Sequence, residues 1–337
     1  MTMDNDWMSE RLDRWVVETY EPGATVSEIR RMPGNSGFSF GFTVAHGTES
    51  DSLVIRVPHP SAARQRNSDL LHQVEVIQAA ERVGIPVPAV RSTGDESSCF
   101  ELPYYVVDMV EGRSTHLTDA SRYLGDDGAG LDVVFRDGMR TLAAIHEIDW
   151  QSELSGWPPP RPLAEEVDMW LPTLRKSEDS TWVEAGTAVR DLLIEGMPEM
   201  PSPTVVHGDF YSNNWLFLDG RITAVLDWEL ASIGSPGLDV GWICMMYDDK
   251  SWGPMRHRWS VWSPSAEFLV EAYEEAGGKR VENLDWYRAL SGYRLACITA
   301  RSIEHHRSGK RVDSPWEICA DAFPYFISRA TELLHHN

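Results

Sequence analysis

The feature that most constrains this chain is a polar segment followed by a predicted β-hairpin. The segment, residues 207–214, reads HGDFYSNN, and two apolar runs lie between it and Asp227. The runs are separated by Asp219-Gly220, a dipeptide that is typical of a two-residue turn between antiparallel strands. With so tight a turn, Asn214 and Asp227 would lie diagonally at the open end of the hairpin, on one face. At a separation of about 7–8 Å, an amide oxygen and a carboxylate can bind one hard cation.

The polar segment also has the spacing of a phosphoryl-transfer loop. Protein kinases carry the pattern H-R-D-x-x-x-x-N, in which the Asp accepts the proton of the attacking hydroxyl and the Asn binds magnesium. Asp209 and Asn214 keep this interval, although Gly208 replaces the Arg. The pattern predicts Asp209 as the catalytic residue, Asn214 and Asp227 as metal ligands, and His207 as a scaffold residue. H-G-D also occurs in metallophosphatases, but no G-N-H or His-rich ligand segment follows it.

The residues after the hairpin extend the pattern. Asp227 is followed by WE, and residues 234–241 read GSPGLDVG, a G-x-P-x-x-D-x-G motif. This succession resembles the aminoglycoside phosphotransferase and choline kinase-like family, with its aminoglycoside kinases and its kinase domains associated with acyl-CoA dehydrogenases. Residues 142–150, LAAIHEIDW, resemble a further segment of that family, in which we expect His146 to be a packing residue. By the same resemblance, Asp239 is a buried acceptor that braces the catalytic loop.

The resemblance implies an α+β, two-lobed protein-kinase-like fold. A nucleotide-binding lobe, residues 1–108, would carry a small antiparallel sheet, and a catalytic and substrate-binding lobe, residues 109–337, would be mainly helical. The periodicity of apolar residues agrees with this order of elements. It predicts a helix near residues 7–19, strands over about 26–57, a helix at about 67–83, and mainly helical stretches at 131–149, 151–205 and 250–337.

The resemblance places the phosphate-binding residues in the first lobe. A Gly-rich turn would bind the phosphates through its backbone, because small residues allow close approach. Arg56 occupies the strand position at which kinases carry a phosphate-pairing Lys. The helix Glu that usually pairs with this cation aligns with Gln73, and this departure slightly favours a catalytically silent pseudokinase. The candidate phosphate-binding residues are Gly34, Ser36, Gly37, Ser39 and Arg56.

The adenine site is expected at the linker between the lobes. Residues 103–112 form an apolar run that reads as a buried strand entering this linker. By resemblance, the backbone carbonyl of Asp108 and the amide of Val110 would bind the adenine edge. The implied cofactors are therefore ATP and Mg²⁺, with GTP left open as an alternative nucleotide.

Composition argues against several classes of partner. A formal net charge of −22 disfavours nucleic acid and anionic membranes, because both are bound by basic patches. The N-terminus is acidic and no run of about 18 apolar residues occurs, so we expect a soluble, cytoplasmic protein with no membrane partner. The four Cys are widely spaced, which indicates reduced thiols. Monomer and homodimer both stay open.

The acceptor is predicted only as a hydroxyl group of a small molecule. An aminoglycoside-type antibiotic suits the acidic charge, whereas a hydroxyacyl-CoA or hydroxy acid would need a basic groove. The clustered candidates for such a groove are Arg288, Arg294, Arg301, His305, His306 and Arg307. Aromatic and acidic groups that could meet an acceptor are Tyr247, Asp248, Asp249, Trp252, Trp259, Trp262 and Trp286. At least half of the 14 Trp are nevertheless expected to fill the core.

Overall fold

The computed structural model describes residues 5–32, 37–58, 60–114, 130–258, 263–310, 312 and 315–335, with only the backbone described at 60–69 and 255–258. The chain divides into two compact units. The first contains residues 1–112 and 223–229, and the second contains residues 113–222 and 230–337. The segment 223–229 thus belongs with the N-terminal part, although it follows the hairpin turn in the chain. Within the described ranges, no helix combines the length and the apolar character that a membrane crossing requires.

The order of elements agrees with the predicted α+β class. The helices are α1 (Asn5–Thr19), α2 (Pro60–Arg82), α3 (Leu131–His146), α4 (Trp150–Glu153), α5 (Leu163–Asp168), α6 (Leu171–Leu174), α7 (Ser180–Glu195), α8 (Gly237–Met246), α9 (Ala266–Glu275), α10 (Leu284–Arg307) and α11 (Pro315–His335). The strands are β1 (Thr25–Arg31), β2 (Phe38–His46), β3 (Glu49–Val57), β4 (Val90–Gly94), β5 (Tyr104–Asp108), β6 (Thr204–Val206), β7 (Trp215–Leu218), β8 (Arg221–Val225) and β9 (Ser232–Gly234). Short 3₁₀ segments lie at Ser212–Asn214, Trp228–Leu230 and Asp249–Arg258.

The first unit is built on a five-stranded antiparallel sheet with the order β1-β2-β3-β5-β4. Successive side chains of a strand point to opposite faces of the sheet, so neighbouring residues of one strand belong to different hydrophobic clusters. Tyr104 and Val106 pack with α1, whereas Tyr105 and Val107 pack with α2. Arg56 lies opposite Tyr105 in the β3–β5 ladder. This register places Arg56 on the α2 face of the sheet.

The predicted hairpin turn is confirmed. Asp219 and Gly220 have φ values of 50° and 78°, and two positive φ values are the mark of the tight turn that Asp-Gly favours. The strand β7 begins only at Trp215, however. The prediction placed Asn214 within the hairpin, but a 3₁₀ turn over Ser212–Asn214 lies there instead.

The second unit is mainly helical, and its centre is the close packing of α8 on α10. All residues of α8 from Asp239 to Met246 are buried. A Cβ atom at Gly237 would lie 2.5 Å from the Tyr287 ring, and one at Gly241 would lie 2.6 Å from the Tyr287 Cβ. These glycines are four residues apart and therefore share one face of the helix. Because these glycines have no side chains, α8 and α10 can pack closely, and Asp239 between them in the sequence is buried.

Candidate active site

The catalytic loop of the second unit brings Asp209 and Asn214 into contact. The Asn214 side-chain nitrogen donates to the backbone carbonyl and to Oδ2 of Asp209, both at 2.9 Å. The Asn214 backbone amide donates to the Tyr211 carbonyl at 2.9 Å, which closes the 3₁₀ turn. Because the amide nitrogen of Asn214 faces Asp209, its amide oxygen faces the other way. The turn thus orients one carboxylate and one amide oxygen.

The side chain of Asp239 holds the backbone of this loop, as the resemblance implies. Its side chain is completely buried. Oδ2 accepts from the His207 backbone N–H at 2.7 Å, and Oδ1 accepts from the Gly208 backbone N–H at 2.8 Å. Burial raises the pKa of a carboxyl, but the contacts with His146 and His207 outweigh it and hold the pKa of Asp239 below its ordinary value. Asp239 is therefore an ionised, buried acceptor.

His146 is more than the packing residue that the sequence predicts. Its ring is buried, but Nε2 lies 3.1 Å from Oδ2 of Asp239 and Nδ1 lies 2.7 Å from the Tyr273 hydroxyl. If Nε2 carries the proton for Asp239, Nδ1 accepts from the Tyr273 hydroxyl. A chain of three side chains therefore runs from α9 to the catalytic loop. The two motif residues are 93 positions apart, so no local signal links them.

Replacing Tyr273 by phenylalanine tests this chain. The change leaves Nδ1 of the buried His146 without its hydroxyl partner, and we expect a loss of about 1–3 kcal/mol in the free energy of unfolding. Urea denaturation measures the loss. Tyr325→Phe removes an exposed hydroxyl and is the matched control. Equal stability of the two variants would show that the Tyr273 hydroxyl contributes nothing to the brace.

The peptide bond before Asp209 is held at both ends. The Asp209 backbone N–H donates to Nδ1 of the buried His207 at 3.2 Å, and the Gly208 carbonyl accepts from Arg294 at 2.6 Å. Gly208 has φ 83°, and a Cβ there would lie 2.5 Å from the Leu230 carbonyl oxygen. Only glycine fits this position without strain. The ring of His207 serves as a scaffold, as the sequence predicts.

The first unit contributes a second group of charged side chains. Nη2 of Arg56 lies 2.9 Å from Oδ1 of Asp227 and 3.3 Å from Oε2 of Glu229. Burial lowers the pKa of Arg56, but the neighbouring acidic groups, Tyr105, Asp227 and Glu229, raise it above its ordinary value. Asp227 itself has φ 63°. The contact of Glu229 with Arg56 is not predicted from the sequence, and its signal is the position of Glu229 two residues after Asp227.

The predicted phosphate-binding turn is described only in part, since Gly34 and Ser36 lie outside the described residues. A Cβ at Gly37 would lie 2.9 Å from the Val57 carbonyl oxygen, so the backbone approaches β3 closely there. Ser39 pairs with Arg56 across the β2–β3 ladder. Ser39 and Arg56 are thus neighbours in the sheet of the first unit.

The helix residue Gln73 has its own partner. Its side-chain oxygen accepts from the Tyr105 hydroxyl at 3.4 Å, and its side chain is buried. Arg56, opposite Tyr105 in the ladder, directs its guanidinium to Asp227 and Glu229. Gln73 therefore links α2 to the sheet through its hydrogen bond with Tyr105.

The predicted adenine-binding segment begins at the end of β5. The Asp108 backbone N–H donates to the Ala89 carbonyl at 3.0 Å, and the Met109 N–H donates to the Ser52 carbonyl at 2.9 Å. The N–H and C=O of one strand residue point the same way, so the Asp108 carbonyl faces away from β3. The Asp108 side chain pairs with Arg91 at 2.6 Å. The roles of Asp108 and Val110 stay predictions.

Most of the described aromatic candidates for acceptor binding belong to the core. Tyr247, Trp252 and Trp286 are buried. The Trp252 indole N–H donates to the Met246 carbonyl, and the Trp286 indole N–H donates to the Leu193 carbonyl, both at 2.9 Å. Asp248 is also enclosed and accepts from two arginines, Arg288 at 2.6 Å and Arg329 at 2.8 Å. The remaining two aromatic candidates, Trp259 and Trp262, lie outside the described residues.

Known proteins share both this sequence pattern and this fold. Over 316 residues the chain is 26% identical to acyl-CoA dehydrogenase family member 10 of Mus musculus, with 82% of this chain matched. The chain spans only 28% of the length of that relative.

Solved structures match nearly the whole chain. A candidate aminoglycoside phosphotransferase from Ralstonia eutropha JMP134 superposes with a TM-score of 0.75 at 21% identity, over 97% of this chain and 98% of that one. A thermostable mutant of aminoglycoside phosphotransferase APH(4)-Ia, in ternary complex with AMP-PNP and hygromycin B, superposes with a TM-score of 0.60 at 20% identity, over 96% and 97%. These likenesses establish a protein-kinase-like fold. Residues 11–290 also match the family described as "Phosphotransferase enzyme family". Since this match covers most of its length, the chain belongs to that phosphotransferase family.

Proposed function

We propose that the chain is an ATP- and Mg²⁺-dependent O-phosphotransferase that phosphorylates a hydroxyl group of a small molecule. The observation that carries the proposal is the contact of Asn214 with Asp209 on a loop whose backbone is held by the buried Asp239. Phosphoryl transfer needs little covalent chemistry from a protein and depends mainly on positioning and charge stabilisation. A rigid loop with one oriented carboxylate suits that task.

Asp209 is the proposed catalytic residue. It accepts the proton of the acceptor hydroxyl as that oxygen attacks the γ-phosphorus and ADP leaves. The Asn214 amide nitrogen holds Oδ2 of Asp209 at 2.9 Å, which fixes the direction of the carboxylate. The same contact turns the amide oxygen of Asn214 outward.

The proposed metal ligands are Asn214 and Asp227. The donors are an amide oxygen and a carboxylate, and such hard oxygen ligands together with substrate phosphates are what Mg²⁺ binds. The fit is supported by the orientation of Asn214, whose nitrogen is already used on Asp209. When bound, magnesium neutralises charge on the phosphates of the nucleotide.

The proposed nucleotide site lies in the first unit. Arg56 provides a cation for the phosphates, and Ser39, Gly37 and the residues before them provide the turn that approaches the phosphates. A solved structure of the same fold contains AMP-PNP, which supports a triphosphate nucleotide as donor. Arg56 contacts Asp227 and Glu229, so binding of the phosphates by Arg56 would exchange these carboxylate partners for phosphate.

Two classes of acceptor are supported by different observations. The structure of APH(4)-Ia contains hygromycin B, which supports an aminoglycoside-type acceptor. The relative named as a member of the acyl-CoA dehydrogenase family supports a hydroxyacyl-CoA or hydroxy acid. Several clustered cations that could bind a CoA thioester already pair with carboxylates, as Arg288 does with Asp248 and Arg301 with Glu304. This pairing gives the cluster less positive charge than the sequence suggests.

The proposal is tested by ADP release across a panel of acceptors. The panel contains aminoglycosides, macrolides, amino alcohols, sugars and hydroxyacyl-CoA thioesters, each with ATP and Mg²⁺. We expect one class to stimulate ADP release and chelation of the metal by EDTA to abolish it, because the phosphate charge must be neutralised for transfer. If the chain binds the nucleotide but no acceptor stimulates ADP release, the result supports a catalytically silent pseudokinase. If it does not bind the nucleotide, both the phosphotransferase and the pseudokinase hypotheses are wrong.

A further inference from the structure

Arg294, on helix α10, has an unusual partner for a largely enclosed cation. Its Nη1 donates to the backbone carbonyl of Gly208 at 2.6 Å. Its Nε is buried and lacks a hydrogen-bond partner among the described residues. Among the residues that the structure describes, no carboxylate forms an ion pair with Arg294. Arg288 and Arg301 on the same helix both have such a partner. The main polar contact of this guanidinium is therefore the loop backbone.

Two indole rings hold the Arg294 guanidinium in place. Its central carbon lies 4.1 Å from the ring centroid of Trp242 and 5.0 Å from that of Trp170. Both distances are within the range at which an aromatic face attracts a cation. The flat guanidinium matches such a surface, whereas an ammonium group does not. The aromatic contacts thus fix the donor that reaches Gly208.

The charges around Arg294 come from several elements. The acidic groups that act on it are Asp209, Asp239, Glu166 and Tyr211. Burial is the largest influence and lowers the pKa of Arg294, while these groups oppose the shift. Glu166 is already engaged, since its Oε1 accepts from Arg161 at 2.8 Å. A charged donor strengthens the hydrogen bond to the Gly208 carbonyl.

The contact acts on the peptide bond that leads directly into Asp209. The carbonyl of this peptide bond accepts from Arg294, and its N–H donates to Nδ1 of His207. A peptide plane held on both sides cannot rotate, so the N–Cα bond of Asp209, from which its side chain projects, keeps its direction. We propose that Arg294 is a positioning residue that fixes Asp209 for phosphoryl transfer by holding the Gly208 carbonyl. This inference rests on the proposed function.

The test compares Arg294→Ala with the wild type in ADP release, using the acceptor found in the panel. Misplacing a catalytic group by about 1 Å can cost about 10²-fold in rate. We therefore expect kcat to fall by about 10²-fold. The KM for ATP should change little, because Arg294 lies in the second unit and contacts the catalytic loop. Arg190→Ala removes an ion-paired guanidinium from α7 of the same unit, outside the residues proposed for binding or catalysis, and should keep wild-type kcat.

A rescue experiment separates positioning from general support of the fold. A cavity of about 50 Å³ already adjoins Arg294 and Gly208, and truncation of the side chain enlarges it. Methylguanidinium at millimolar concentration should enter this space and restore part of the kcat of Arg294→Ala. Arg294→Lys keeps the charge but lacks the planar group, so its kcat should be intermediate. Melting temperatures of all variants are recorded beside the rates.

The outcomes separate this inference from the function on which it rests. A wild type that is inactive with the whole panel removes the proposed function and the inference together. An active wild type whose Arg294→Ala variant keeps more than half of its kcat removes the inference alone. If Arg294→Ala does not fold, Arg294→Lys decides: reduced kcat with unchanged KM for ATP supports positioning, and full activity or a parallel rise in KM overturns it.

Discussion

Replacing Asp209 by asparagine is expected to lower kcat by about 10²–10⁴-fold, the usual contribution of a positioned proton acceptor. The amide has nearly the shape of the carboxylate, and its oxygen can still accept from the Asn214 side chain, as Oδ2 of Asp209 does at 2.9 Å. The backbone contact of residue 209 with His207 does not involve the side chain. Loss of the proton acceptor should therefore occur without loss of the loop structure.

Three measurements check this expectation: ADP release with the stimulating acceptor, nucleotide affinity from a fluorescent ATP analogue, and urea denaturation. The free energy of unfolding should change by no more than about 1 kcal/mol, the net worth of one hydrogen bond, because the amide oxygen can keep the bond from Asn214. Asp219→Asn makes the same chemical change at the hairpin turn, where asparagine tolerates the positive φ. The control should keep full activity. An Asp209→Asn variant with more than a tenth of wild-type kcat would contradict proton transfer to Asp209.

Local patterns in the sequence predicted those parts of the fold that depend on neighbouring residues. Asp219-Gly220 predicted the hairpin turn because the positive φ values it requires are a property of the dipeptide itself. The helix over Asn5–Thr19 followed from apolar periodicity in the same way. The predicted ladder was too long, because the Asn214 backbone N–H donates to the Tyr211 carbonyl and closes a 3₁₀ turn, while the Asn214 side chain donates to Asp209. The 3₁₀ turn competes locally with the strand, but the Asp-Gly dipeptide predicts only the hairpin turn and not where the strand begins.

Interactions between distant residues were less accessible from the sequence. The run Tyr104–Val107 is apolar throughout, so alternation could not show which residues meet α1 and which meet α2. The ring of Trp286 is buried and bonds to a carbonyl 93 positions away, and no pattern around it distinguishes core from acceptor site. The hydrogen bond between His146 and Asp239 also joins residues that are far apart in the sequence, so no local pattern predicts it. The family pattern predicts which residues form the site, whereas only the structure gives the partners of these residues.

Asp239→Asn is expected to destabilise the protein by about 2–5 kcal/mol, because each buried donor left without its acceptor costs about 1–3 kcal/mol and bonds to a charged acceptor are the stronger ones. Asp239 accepts from two backbone N–H groups and from His146. An amide side chain removes the charge and directs its own NH₂ at one of these donors. Urea denaturation at pH 7 measures the loss. Asp137→Asn is the control, since Asp137 is also buried and accepts from the Ile222 backbone N–H at 2.7 Å.

The dependence of this loss on pH identifies Asp239 as its source. The pKa of Asp239 is lower in the folded protein than in the unfolded chain, so the unfolded state binds the proton first as pH falls. The stabilisation is complete above the unfolded pKa of about 3.9 and disappears as pH falls through the lower folded value. The stability difference between wild type and Asp239→Asn should therefore be present at about pH 5 and shrink below about pH 4. A difference that stays constant through the acid range would mean that packing, and not the carboxylate charge, holds the catalytic loop.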